Sequence, residues 1–297
     1  MDVEFLAPGM KDLFESNPPL DHVAGGISFA EGPVWDKRKQ CLMFSEIIGS
    51  RIHRWTPGVG LETVMEATGH ANGMTFDRDA RLLVAGWSRR TVWRIEKDGS
   101  TTTLASHYQN KKLNTPNDIV VRSDGTIYFT DSDGGLFIPA MDGEDIQKYL
   151  EFSGVYRISA DGRTCEPVIT DMSFPNGIAF SPDESLLYVT DTWQKNIKVF
   201  DVKPDGSVTN GRVFYELYGH EPGHADGVKV DRAGNVYATG QAGIHVIDPQ
   251  GRLLGRLRIP GETTNLAWGG DNWRTLYITT FHSVFRTRVQ VQGIETW

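Results

Sequence analysis

The sequence predicts an all-β protein, a six-bladed β-propeller with a central metal-binding channel. Three observations carry that expectation. One strand pattern recurs six times, Asp-Gly pairs sit where hairpins must turn, and every repeat opens on an oxygen-bearing side chain. The opening position advances by roughly 40–60 residues per repeat, which suits a blade of about four strands.

Each repeat has a small or polar opening, a short apolar strand, a polar turn, then further apolar strands. Blade one is read from 30–35, 41–45 and 51–55, and blade two from 70–76, 81–85 and 92–95. Blade three takes 116–121, 126–130 and 155–158; blade four takes 175–180, 186–190 and 197–200. Blade five comes from 225–230, 235–239 and 244–247, and blade six from 264–268, 275–279 and 284–287. Asp98-Gly99, Asp124-Gly125, Asp161-Gly162 and Asp205-Gly206 mark hairpin turns between β-rich runs. Val, Ile, Tyr, Phe and Thr fill the strands, and long 3.6-residue periods are scarce. Helix is expected only near 10–15 and 143–151.

A length of 297 residues allows two domains, but the repeat outweighs that prior. The expectation is a single domain over 1–297, with an N-terminal extension at 1–19 and an insert in blade three at about 132–153. The ring is expected to close by pairing 20–29 beside 284–291 in blade six.

Composition excludes several function classes. With 39% hydrophobic and 23% charged residues the chain is globular, neither disordered nor a coiled coil. Acidic residues outnumber basic ones, 38 to 30, and no Lys/Arg cluster supplies the footprint that nucleic acid requires. No apolar run approaches the ~20 residues of a membrane span. Residues 1–7 lack the basic start of a signal peptide, so a cytoplasmic protein is expected, as a monomer or weak homo-oligomer. Cys41 and Cys165 are expected as free buried thiols.

The channel mouth is where the sequence points to chemistry. Glu31, Asn72, Asn117, Asn176, Asp226 and Asn265 occupy equivalent opening positions, and symmetry brings six such positions together near the axis. All six bear oxygen. Hard divalent cations take 6–8 oxygen ligands from carboxylates, amides and water, while the absence of His and Cys at these positions argues against a soft zinc site. Asn-Gly and Asp-Gly are also turn formers, yet six oxygen donors in register outweigh the turn reading.

These motifs identify the chain as resembling the gluconolactonase, senescence marker protein (regucalcin) and luciferin-regenerating enzyme family. The similarity is greatest to its bacterial sugar lactonases. It runs from Phe29-Ala30-Glu31-Gly32-Pro33 to Val284-Phe285-Arg286. It is most specific in Leu113-Asn114-Thr115-Pro116-Asn117-Asp118, Phe174-Pro175-Asn176-Gly177, Ala225-Asp226-Gly227-Val228-Lys229 and Thr264-Asn265-Leu266-Ala267-Trp268. The resemblance implies a six-bladed propeller with one divalent cation in its channel, held by Glu31, Asn117, Asn176 and Asp226. Asn72 and Asn265 then support those ligands or line the substrate site, with Trp87 and His224. Calcium is the first expectation, with magnesium, manganese, iron(II) and zinc as alternatives. The loops 85–90 and 132–135 depart from the family's usual pattern, which leaves the identity of the sugar open.

The implied activity is hydrolysis of a gluconolactone-type aldonolactone. The cation polarises the carbonyl, and Asp226 serves as general base or only holds the metal. Two rivals stand beside it: a calcium-dependent phosphotriesterase of the diisopropylfluorophosphatase type, and a non-catalytic calcium- or ligand-binding propeller. The H-E-x-x-H string from His220 to His224 is set aside, because Pro222-Gly223 breaks the helix that zinc-protease chemistry needs. No G-x-S-x-G elbow is present, and Gly269-Gly270 lacks the helix of a phosphate cradle. Trp87, Trp193 and Trp268 are candidate pocket walls, and Arg89-Arg90 is read as a solvated loop.

Overall fold

A computed structural model describes residues 1–297. Six antiparallel sheets follow one another along the chain, each running from an inner to an outer strand. Blade one comprises Ala30–Asp36, Cys41–Glu46, Arg51–Thr56 and Gly60–Glu66. The inner strands of blades two, three and four are Ala71–Phe76, Thr115–Val121 and Pro175–Phe180, and those of blades five and six are Val228–Val230 and Thr263–Gly269. Ala30–Asp36 and Thr263–Gly269 are buried along their whole length, whereas the outer strand Gly60–Glu66 is largely exposed. In every blade but the fifth, the inner strand joins its polar opening to a short apolar stretch, and both are buried.

The core is divided among the seams between blades. One tyrosine position on the second strand supplies much of it. Tyr128 meets Phe180 of the next blade edge-on at 5.1 Å, Tyr237 meets Trp268 at 4.8 Å, and Tyr277 stacks on Trp35 at 5.3 Å. Such aromatic pairs contribute about 0.5–1.5 kcal/mol each beyond area burial.

The ring closes as the sequence predicts: Asp21–Gly25 pairs antiparallel with Ser283–Arg288 as the outer strand of blade six. A second tie involves the first residues of the chain. Asp2–Phe5 pairs with Leu253–Arg258 as a fifth strand of blade five, and Glu4 forms ion pairs with Arg256 and Arg258. The helix expected near 10–15 is the single turn Met10–Leu13, which buries Met10 and Leu13.

The helix expected at 143–151 does not form. Arg90 explains this, because its Nη1 takes the carbonyls of Asp145 and Gln147 at 3.0 and 2.9 Å. Those bonds tie the segment along the Arg90 side chain in an irregular path. The insert holds only the 3₁₀ turn Gly134–Leu136. Arg90 is buried, a correction to its reading as solvated, and its Nε also holds the carbonyls of Leu113 and Asn114. Both cysteines are free; Cys41 is buried, but Cys165 is only half-buried. No helix is long and apolar enough to cross a membrane.

Candidate active site

The ladder between first and second strands slips at the start of five blades. It does so between Glu31 and Val34, Ala71 and Met74, Pro116 and Ile119, Pro175 and Ile178, and Thr263 and Asn265. In blade five the ladder begins only at Val228, after Asp226. Bulges of this kind re-aim a side chain out of the sheet, and here they free the opening residues from strand alternation.

Glu31, Asn72, Asn117, Asn176 and Asp226 thereby line one cavity of about 200 Å³ at one end of the channel. Trp87 and His224 line it too, with Trp193 from the loop after Asp191. Asn265 does not. It lies buried beside Glu31, donating from Nδ2 to Glu31 Oε2 at 2.9 Å, so it supports that carboxylate rather than meeting a ligand. Trp268 belongs to the opposite end of the channel. The segment from His220 to His224 is irregular, and Glu221 pairs with Arg258.

The Asn-Gly pairs are not turns. Gly73 and Gly177 have no positive φ; instead they let neighbouring blades touch backbone to backbone. A Cβ on Gly73 would lie 2.5 Å from Asp118 Cα, and one on Gly177 would lie 2.4 Å from the Asp226 carbonyl oxygen.

Hydroxyls on the second strands fix these seams. Ser45 donates to the carbonyl of Asn72 at 2.9 Å, Thr130 to that of Asn176 at 2.6 Å, and Thr190 to that of Asp226 at 2.5 Å. Blades one, three and four thus anchor the opening residue of the next blade. The repeats display this position in the sequence, but its role appears only once the blades adjoin. Blade two has Ala85 there and makes no such bond.

Beneath the cavity lies a charged cluster that sequence reading missed. Lys229 Nζ donates to Asp118 Oδ2 at 3.0 Å, to the Val228 carbonyl at 3.1 Å and to Asn265 Oδ1 at 3.3 Å. Three carboxylates, Glu31, Asp118 and Asp226, therefore share one ammonium. Burial, and then the charge of Asp118, push the Glu31 carboxyl up to about 7. Burial, then Glu31 and Asp118, hold Asp226 well above the usual carboxylate range, while the Asn176 amide pulls the other way. Glu31 Oε1 and Asn72 Oδ1 are buried without any hydrogen-bond partner.

A six-bladed propeller that gathers carboxylates and carboxamides at one channel mouth defines a class of channel-site propeller enzymes. The family model for the SMP-30/Gluconolactonase/LRE-like region matches residues 29–282, and the chain belongs to that family as a lactonase-family hydrolase. It is similar to the gluconolactonase of Zymomonas mobilis, at 31% identity over 97% of this chain and 86% of that one. A pentonolactonase of Haloferax volcanii is 29% identical over 84% of this chain and 80% of its own length. The solved structure of a Xanthomonas campestris gluconolactonase superposes with a TM-score of 0.90 at 30% identity, covering 97% of this chain and 95% of that one.

Proposed function

We propose that Glu31, Asn117, Asn176 and Asp226 hold a divalent cation, calcium first, and that the enzyme opens a small lactone beside it. The observation that carries this reading is the orphaned Glu31 Oε1, a buried carboxylate oxygen on the cavity with no donor of its own. A carboxylate left so is costly unless a cation joins it. The charges agree: three carboxylates against the Lys229 ammonium leave two negative charges, which a divalent ion cancels. No group of three or more His, Cys, Asp or Glu side chains is placed to hold a metal ion by itself. The donors here are two carboxylates mixed with amides, a set that suits hard, oxygen-seeking ions.

When bound, such a cation supplies a Lewis acid for the lactone carbonyl. The remaining chemistry belongs to the chain. Asp226 is half-buried on the cavity, where its carboxylate can accept a proton from water. Water bonds through oxygen to the carbonyl carbon while its proton passes to Asp226. The ring C–O bond then breaks, the proton goes to the departing alkoxide, and a hydroxy acid leaves. His224 Nδ1 is held by Glu262 Oε2 at 3.3 Å, which leaves Nε2 for a substrate oxygen. Relatives named for gluconolactone and pentonolactone make aldonolactones the first substrates to try.

A lactone panel followed with a pH indicator, with and without chelator, tests this reading. Proton release that stops on chelation and returns with calcium is the expected result. Turnover indifferent to chelation would overturn the metal-dependent mechanism.

A further inference from the structure

Above its oxygen-bearing floor the cavity is walled by hydrocarbon. Eight of its fifteen lining residues are hydrophobic, five form the floor, and only Thr192 and His224 are polar besides. Thr192 is already committed, donating to the Ala225 carbonyl at 2.6 Å and accepting from Asn176 Nδ2 at 3.0 Å. Above the floor one imidazole nitrogen is left to satisfy hydroxyls on a substrate, and within the floor the Asn72 amide, whose Oδ1 has no partner. No Lys or Arg lines the cavity, so nothing there selects a phosphorylated or sulfonated lactone.

Two further observations strengthen the apolar character. Phe29 holds a φ of +68°, a left-handed conformation that a bulky residue adopts only under constraint. Its ring lines the cavity, stacked on Phe281 at 4.5 Å. On the opposite side the wall continues into solvent. Trp193 is 55% exposed and packs on Phe174 at 5.1 Å, and Phe137, 52% exposed, stacks on it at 6.5 Å. A polyhydroxylated aldonolactone would press several hydroxyls against these walls without partners, and each stranded hydroxyl weakens binding.

Resting on the lactonase reading, we propose that the preferred substrate is an uncharged lactone bearing an apolar substituent, alkyl or aryl, lodged against Trp87, Phe174 and Trp193. Hydrolysis is as described above: water adds to the carbonyl carbon, the ring C–O bond breaks, and the apolar group stays on the hydroxy acid.

The test compares kcat/KM for glucono-δ-lactone with that for δ-lactones of growing alkyl chain, from δ-valerolactone to δ-decanolactone, in calcium. The expected result is a rise of about fourfold per buried methylene until the cavity is filled, with δ-octanolactone well above gluconolactone. Ile138→Asn, in the half-buried insert wall, should lower the octanolactone-to-gluconolactone ratio at least tenfold. Gluconolactone preferred over every alkyl lactone, with the ratio unmoved by that variant, would overturn the proposal. Calorimetric binding of the non-hydrolysable δ-octanolactam separates this inference from the one beneath it. Lactam binding without turnover of any lactone upholds the apolar site and removes the lactonase reading. Turnover of gluconolactone without lactam binding does the reverse.

Discussion

Asn265 and Glu31 meet across the seam where the last blade joins the first, Nδ2 donating to Oε2 at 2.9 Å out of solvent. The amide has no freedom to turn, because its Oδ1 already receives Leu266 N–H at 2.9 Å and Lys229 Nζ at 3.3 Å. Glu31 is therefore aimed by a group that never touches the cavity. The seam that joins the last blade to the first therefore also positions the Glu31 carboxylate.

Asn265→Ala should weaken calcium binding by about 10–100-fold, the usual cost of losing a group that orients a metal ligand. Calorimetric titration reads this directly, with circular dichroism to show that the propeller remains. Unchanged affinity would reduce Asn265 to packing.

Asp226 and Glu31 carry the two charges on the cavity, but only Asp226 is assigned the proton. At saturating calcium, Asp226→Asn should lower kcat by about 10²–10⁴, the range for a lost general base. Glu31→Gln should weaken affinity and recover most of its turnover once calcium is saturating. Equal losses in both variants would show that charge alone matters and that Asp226 is not the base.

The symmetric part of the molecule was legible in sequence, and the asymmetric part was not. Six repeats announce six blades because each inner strand joins an oxygen-bearing opening to a short apolar stretch. Five of the six opening residues reach the cavity, four at a slip in their own ladder and Asp226 just before its ladder begins. Asp118 and Lys229 escaped notice because a charged residue beside an apolar one reads as a solvated strand position. Only the ring brings blades three and five to one axis. Arg90 misled for the same reason, since its burial depends on an insert that has no counterpart in the other blades. The strand Asp2–Phe5 was hidden because four residues without a repeat partner give no period to detect.

Asp131 gives the fold a pH dependence with a defined sign. Burial pushes its carboxyl up to about 7, with the Asn114 N–H donated to Oδ2 at 2.9 Å pulling the other way, and Oδ1 has no partner. Between the ordinary carboxylate range and about 7 the folded chain therefore holds a proton that the unfolded chain has released. Stability from this group is complete at low pH and lost as pH rises through 7, with a slope of at most about 1.4 kcal/mol per pH unit. Asp131→Asn should flatten urea-denaturation stability between pH 5 and 7 in saturating calcium, which holds the cavity carboxylates constant. An unaltered slope would place the proton elsewhere.

Lys229 and Asp118 make the last prediction, because fold and site place opposite demands on them. Asp118 is almost fully buried, with Oδ1 taking Ile119 N–H at 2.9 Å and Oδ2 facing Lys229 at 3.0 Å. Lys229→Met leaves that charge without its counter-ion and should cost about 3–5 kcal/mol of folding stability in chelator. Calcium should still bind, and should restore part of the loss, since the cluster then has one more negative charge to offset. Asp118→Asn keeps an oxygen for Ile119 but leaves the cluster with one net negative charge, so calcium affinity should fall. Lys229→Met combined with Asp118→Asn returns the net charge to minus two. Both stability and calcium affinity should then recover most of the way to the parent values. Losses that simply add in the double variant would mean that the two residues act independently, and that the charge balance of the floor does not set which ion it holds.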